Sequence, residues 1–488
     1  MMLFPKQIPN WINGRKCRAK SGSWFQKLNP ASGQPIAEAA RSGKDDVCEA
    51  VEAAGKAQPA WADTPPVQRG MVLQKIVHGF QDEHRKIAQI VAIETGKSYK
   101  DAHAETAGAI ALGMFYASEG QRLFGHTTTS AVANKYAMTI RQPVGVAGLI
   151  IAANTPIANV AWKIFPALIC GNSVVLKAAE DTPATAWIVG EIAHAAGLPT
   201  GLLNIIQGYG EEAGAALVEH PDIDVISFTG STAVGKYIQR AAAERLAKVS
   251  LELGGKNPLV VCDDADLDNA VKWVLLSAFS NAGQRCAAAS RIIVFDQIYE
   301  KFKGLLLEGT KRLRVGPTDA DDLGPVINEK QLDNMLTVVE GARENGATIL
   351  TGGHRLTDPD HKNGFYMAPT LVEAADANDE ISTKELFGPI ACLYRVKDFN
   401  AALALANQSP YGLTACIHTK NIHRAIEFTQ KVQAGVANVN AATFGSEPHM
   451  PFGGVKQSGN GWREPGPEAL NVYSETKQVC INIDPEML

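Results

Sequence analysis

The stretch "DVISFTGSTAVGK", Asp224–Lys236, holds the pattern on which the fold turns. Residues 224–228 read as a short buried strand, a turn around Gly230 follows, and a helix opens at Ser231. A strand feeding a helix in this way starts a crossover, because parallel neighbours cannot be joined by a tight hairpin. The same unit recurs on both sides. "VGVAGLII" (144–151), "SVVLK" (173–177), "LLNII" (202–206) and "VSLEL" (249–253) read as strands, with helices from Pro183 and Glu211 between them. Short apolar strands separated by helices of a dozen or so residues predict an α/β fold on a parallel sheet.

Three helical periods, over 47–61, 67–93 and 98–122, precede this core, and "KYAMTIRQP" (135–143) reads as a further strand. A second α/β region follows it. "NPLVVC" (257–262) and "SRIIVF" (290–295) read as strands flanking a helix over 267–280, and the alternation continues to about 455. The C-terminal "VYSETKQVCINI" (472–483) alternates like a strand. It reads either as an edge strand of its own domain or as one that completes a neighbouring subunit's sheet.

At 488 residues the chain calls for two or three domains. With 45% apolar and 20% charged residues it has the composition of a soluble globular protein. A net charge of -5 argues against a nucleic-acid partner. "VGVAGLIIAA" is too short to span a membrane, and "MMLFPKQIPNWINGRK" lacks the build of a signal peptide, so a cytoplasmic location is expected. The eight cysteines show no Cys-x-x-Cys spacing and the eleven histidines no His-Glu-x-x-His pattern, so neither a disulfide framework nor a zinc site is expected.

Four places could carry chemistry. The turn of "FTGSTAVGK" (228–236) suits a phosphate at a helix N-terminus, but Thr232 stands where the dinucleotide fingerprint has its middle glycine, so a plain tight turn fits equally. Lys177 and Glu180 follow a strand end, where open α/β sheets bind ligands; they either grip ribose hydroxyls or form a solvated pair, with Asp181 and Thr182 capping the next helix. Glu252 sits between Leu251 and Leu253 and is either a carboxylate of raised pKa suited to base catalysis or a strand-edge side chain facing water. Cys286, in "NAGQRCAAASR" (281–291), lies where a loop enters a strand and is either a structural thiol or a nucleophile helped by Arg285.

Taken together, "ALICGNSVVLK" (167–177), "FTGST", "LELGGKNP" (251–258), "GQRC", "ELFGP" (385–389) and "PFGGVKQSGNG" (451–461) resemble, in this order, the aldehyde dehydrogenase superfamily. The resemblance runs from about Ile8 to Val479. It implies a Rossmann-like cofactor domain over 1–124 and 145–252, to which 456–469 returns. A second α/β catalytic domain is implied over 253–455, and a small β oligomerisation arm over 125–144 and 470–488. It assigns Cys286 as nucleophile, Asn154 of "IIAANTP" as oxyanion donor with the Cys286 backbone N–H, and Glu252 as base for the thiol, the deacylating water or both. Glu464 of "WREPG" is implied as a second, proton-relaying glutamate. Ile151, Lys177 and Glu180 match contacts near the adenosine ribose, Gly230 and Ser231 the pyrophosphate turn, Leu253 a backbone contact near the carboxamide, and Glu385 and Phe387 the nicotinamide side.

The implied reaction is oxidation of an aldehyde through a cysteine thiohemiacetal and thioester, with water releasing the acid. NAD is expected over NADP, since the Glu180 carboxylate would repel a 2′-phosphate. Relatives that transfer the acyl group to coenzyme A generally lack the glutamate matched by Glu252. A homodimer or homotetramer is expected, with no nucleic acid, membrane or metal. Two departures bear on substrate: Thr155 replaces a common phenylalanine, and Arg285 stands where an apolar or small residue is common. Arg285 either pairs with a distal acid group, as in semialdehyde oxidation, or turns away to hold its loop. Competing readings are a cofactor-free cysteine hydrolase or acyltransferase, which leaves "ELFGP" and "FTGST" unexplained, and a catalytically silent relative.

Overall fold

The computed structural model describes residues 4–373 and 376–487. Met1–Leu3, Ala374, Ala375 and Leu488 lie outside the described residues, and with them the outermost ends of the segments expected at 1–124 and 470–488 and two positions inside 253–455.

The five strands expected between 144 and 253 form as Val146–Ile150, Ser173–Lys177, Leu203–Ile206, Val225–Thr229 and Lys248–Glu252, all parallel. Every residue of the first three is buried, which is why they read as unbroken apolar runs: helices cover both faces. Their order decides where a ligand can sit. Val146–Ile150 is laid down first, Ser173–Lys177 and Leu203–Ile206 join on one side, and the chain then returns to add Val225–Thr229 and Lys248–Glu252 on the other. At this reversal the loops leaving neighbouring strand ends diverge and open a crevice. Asn10–Ile12 and Arg15–Cys17 complete the seven-stranded sheet as an antiparallel edge.

A second seven-stranded sheet begins at Asn257–Val261, beside Ala289–Phe295 and Thr414–His418. All its neighbours are parallel except the edge pair Thr348–Thr351 and Thr370–Glu373. A three-stranded antiparallel sheet stands apart, in which Ser474–Asn482 pairs along its whole length with Lys135–Pro143. The C-terminal strand is thus an edge strand on its own chain, and its outer edge pairs with no strand among the described residues.

Four details differ from the sequence expectations. The helical period at 67–93 is two helices, Pro66–Asp82 and His84–Thr95; Phe80 and Ile87 keep the apolar face in phase across the break at Glu83, so periodicity could not show it. The helix expected from Glu211 is a π turn, Gly210–Gly214, followed by Ala215–Glu219. The N-terminal strands Trp24–Leu28 and Pro35–Ala40 form a sheet with Gln7–Ile8 that no pattern announced. Asp181 and Thr182 do not cap the helix Pro183–Ala195. The carboxylate of Glu94, from a neighbouring helix, instead accepts the N–H groups of Ala184 (2.6 Å) and Thr185 (2.8 Å), while Asp181 accepts from Asn328 Nδ2 (2.9 Å).

Candidate active site

The helix Leu267–Phe279 ends in a turn whose Asn281 and Ala282 are left-handed (φ 54° and 53°), a strained geometry held from outside. Gln284 does much of the holding: its Nε2 donates to Asn281 O and Pro325 O (both 3.2 Å), and its Oε1 accepts the Ile327 N–H (2.8 Å). Asn257 Nδ2 then grips Cys286 O (2.8 Å) and Ala288 O (2.9 Å) as the chain enters the strand Ala289–Phe295. Cys286 is thereby presented to a cavity of about 330 Å³. Its own backbone N–H has no acceptor among the described residues. Burial, with Glu385 and Glu252 nearby, pushes the thiol up to about 12, so it is protonated at neutral pH.

Asn154 follows the strand Val146–Ile150 and lines the same cavity. Its amide donates one N–H to Gln284 O (2.9 Å), leaving the other free beside the cysteine loop. Asn281 Nδ2 bridges Asn154 O (3.3 Å) and Gln284 O (3.1 Å), so the two loops are tied together.

Glu252 ends the strand Lys248–Glu252, is buried, and does not face bulk water. Neither carboxylate oxygen has a hydrogen-bond partner among the described residues; the Glu464 N–H beside it donates to Phe452 O (2.8 Å). A side chain at Gly453 would come within 2.7 Å of Glu252 Oε1, so glycine is what lets the carboxylate lie there. Burial, reinforced by Glu464, raises the Glu252 pKa well above the ordinary carboxylate range. Glu464 lies behind it, fully buried. It accepts from Ser227 Oγ (2.9 Å) and from Lys163 Nζ (3.2 Å), which also donates to Ser227 Oγ (2.6 Å).

The cavity also reaches Thr229, Gly230 and Ser231, where the helix Thr232–Ala243 begins with Ser231 as its cap. Leu253, Gly254, Glu385 and Phe387 also line it. Glu385 Oε1 accepts the Gly255 N–H (3.1 Å), and a Cβ on Gly254 would meet Glu385 Oε2 at 1.9 Å; the paired glycines make room for this carboxylate. Burial lifts Glu385 to about 7. Ile151, Lys177 and Glu180 lie outside the lining, although Ala152 and Asp181 belong to it. Lys177 is buried and its Nζ reaches Glu180 Oε2 (2.7 Å), so this is not a freely solvated pair. A helix N-terminus at Ser231 and the carboxylates of Glu180 and Glu385 suit a dinucleotide, whose phosphates would lie on the helix dipole.

Thr155 lines the cavity and accepts a hydrogen bond at Oγ1 from Asn159 Nδ2 (3.0 Å). Arg285 stacks over the Phe444 ring (4.6 Å to the centroid) and donates from Nε to Ser280 Oγ (3.3 Å). It forms no ion pair among the described residues, and burial lowers its pKa. Sequence reading missed Asn159, Asn281, Lys163 and the pair Lys97–Glu105. Lys163 did leave a signal, as the single charge in the apolar helix "PIANVAWKIFPALI".

Comparison with known proteins places these features together. The pattern of the aldehyde dehydrogenase family matches residues 17–479. Alpha-ketoglutaric semialdehyde dehydrogenase of Bacillus subtilis (strain 168) is 38% identical over 475 residues, 97% of each chain. Retinaldehyde dehydrogenase 3 of Homo sapiens is 37% identical over 97% of this chain and 92% of its own. The crystal structure of betaine aldehyde dehydrogenase from Staphylococcus aureus in complex with NAD+ superposes with a TM-score of 0.95 at 32% identity, over 98% of this chain and 95% of that one. No helix of the described residues is long and apolar enough to cross a membrane. With its fold, cavity and sequence agreeing over nearly the whole length, this chain belongs to the aldehyde dehydrogenase family and is an oxidoreductase acting on aldehydes.

Proposed function

We propose that the protein oxidises an acid-bearing aldehyde to the corresponding acid with NAD, using Cys286 as a covalent nucleophile. One observation carries this reading: Cys286, Asn154, Glu252 and Glu385 share one cavity with the N-terminus of the helix Thr232–Ala243. The Cys286 sulfur adds to the aldehyde carbon, and the resulting oxyanion takes hydrogen bonds from Asn154 Nδ2 and the unused Cys286 N–H, each worth about 3 kcal/mol. The cofactor, when bound, accepts the hydride that leaves the thiohemiacetal carbon. Glu252 removes the thiol proton and later a proton from the water that releases the acid. Its unpartnered oxygens leave it free to turn, and the Lys163–Ser227–Glu464 chain behind it offers a path for the proton.

When the cofactor is bound, Gly230 and Ser231 would hold its pyrophosphate, Leu253, Glu385 and Phe387 its nicotinamide end, and Ile151, Lys177 and Glu180 its adenosine ribose. Glu180 sets the preference for NAD. Its negative charge facing a 2′-phosphate predicts a kcat/KM at least about tenfold lower with NADP. Equal or better turnover with NADP contradicts this.

Arg285 is the specificity residue. Its guanidinium stacks on Phe444 outside the lining of the Cys286 cavity, with one long hydrogen bond and no ion pair among the described residues, so a turn away from the ring would let it pair with a substrate carboxylate. Similarity to a semialdehyde dehydrogenase supports the same class, and Thr155 and Asn159 keep the wall polar. The test is an aldehyde panel followed by NADH absorbance. Arg285→Leu raises KM for acid-bearing aldehydes about 10- to 100-fold and leaves neutral ones within about threefold. Equal changes for both classes would sink this assignment.

The cofactor domain covers 1–124 and 145–252, with 456–469 returning to it, the catalytic domain 253–455, and the arm 125–144 with 470–488. Exposed Tyr136, Ile140 and Ile481 on the arm, and Val234 and Tyr237 on the helix Thr232–Ala243, suit burial against further copies of the chain, as a homodimer or homotetramer. A cytoplasmic location fits eight unpaired cysteines.

A further inference from the structure

We propose that the buried ion pair Lys97–Glu105 is the positioning device for Asn154, an inference that rests on Asn154 acting as the oxyanion donor. Lys97 is itself held at a fixed point. Gly96, left-handed at φ 73°, ends the helix His84–Thr95, and Ser98 caps the next helix by accepting the Asp101 N–H (3.1 Å). From this corner Lys97 Nζ donates to Glu105 Oε2 (2.7 Å) and to Asn154 O (2.7 Å). The other oxygen of Glu105 accepts the N–H groups of Ile157 (3.1 Å) and Ala158 (3.4 Å), in the first turn of the helix Pro156–Ile169.

One ion pair therefore clamps the active-site loop at both ends, through the carbonyl of residue 154 and the amides of residues 157 and 158. Both side chains are almost fully removed from water, at 5% and 7% exposure. A pair this deep gains little net stability over apolar replacements. What it fixes is direction: the carbonyl of Asn154 cannot swing without leaving an ammonium unpaired, and the side-chain amide follows the backbone. Catalysis is sensitive to such placement, since a shift of about 1 Å at a reacting group can cost about 100-fold in rate.

The experiment is a double-mutant cycle on the full-length protein, reading kcat, KM and NAD affinity by fluorescence. Lys97→Met is expected to lower kcat about 30- to 100-fold while NAD affinity stays within about twofold. Placed on Asn154→Ala, the same replacement should lower kcat by no more than about threefold further, because the group it positions is gone. Glu105→Gln, which keeps an acceptor for Ile157 but loses the charge, should lie between Lys97→Met and the wild type, and serves if Lys97→Met does not fold. The full loss reappearing in the Asn154→Ala background would mark a general structural role and overturn the inference. An impaired Asn154→Ala beside an unimpaired Lys97→Met and Glu105→Gln would overturn it alone. Wild-type kcat in Asn154→Ala would overturn the oxyanion reading and the inference with it.

Discussion

Replacing Cys286 with alanine lowers NADH formation by at least about 10⁴-fold, since removing a covalent nucleophile leaves only binding and oxyanion stabilisation. The physical reason is specific to the site. The loop that carries Cys286 spends two left-handed residues, the Gln284 hydrogen bonds and the Asn257 clamp on presenting one thiol to the cavity. Nothing else lining the cavity offers a comparable nucleophile. Its hydroxyls are those of Thr155 and Ser231, engaged as acceptors for Asn159 and Val234 at helix starts, and of Thr229. All are far weaker nucleophiles than a thiol, and no second cysteine lines the cavity among the described residues. Cofactor binding, measured by fluorescence, should stay near wild type in the variant, because Cys286 is not among the residues proposed to hold the cofactor. A residual rate within about 100-fold of wild type would mean that the chemistry runs without the thiol.

Glu252→Gln is expected to lower kcat by about 10²- to 10⁴-fold, the range of a lost general base. The thiol sits near 12 and the Glu252 carboxyl well above its ordinary range, both through burial. A base works only after losing its proton, so the wild-type kcat should rise with pH, well above the ordinary carboxylate range, as Glu252 ionises. Glutamine cannot ionise, and the variant should lose that rising limb while keeping its NAD affinity. A variant that keeps both the wild-type rate and the wild-type pH profile would remove Glu252 from the mechanism.

Much of this was legible in the chain. "DVISF" and "SVVLK" read as strands because parallel strands covered on both faces need uninterrupted apolar side chains, and they formed within a residue of the expected limits. The motif residues Cys286, Asn154, Glu252 and Glu385 meet at one cavity although 231 positions separate the outermost two, 385 − 154. The break at Glu83 was hidden because the apolar face runs on in phase, and the capping role of Glu94 because a remote carboxylate leaves no local spacing. Lys97 and Glu105 were invisible for a related reason. On sequence they look like an ordinary lysine and glutamate near a helix start, and their meaning lies in contacts with residues more than fifty positions away. Arg285 was visible as a departure, but its direction came only with the Phe444 ring and Ser280.

The central claim is that Cys286 carries the substrate as a thioester, and intact-peptide mass spectrometry addresses it directly. Glu252→Gln, incubated at length with NAD and an acid-bearing aldehyde and quenched in acid, acylates slowly for want of the thiol's base but should hold the acyl group, because the deacylating water has lost its base as well. The peptide containing Cys286 should then gain the mass of the aldehyde less two hydrogens, one having left as hydride and one as the thiol proton, together with one NADH for each acylated site. An unmodified Cys286 after NADH has formed, or a gain equal to the intact aldehyde, would contradict the account.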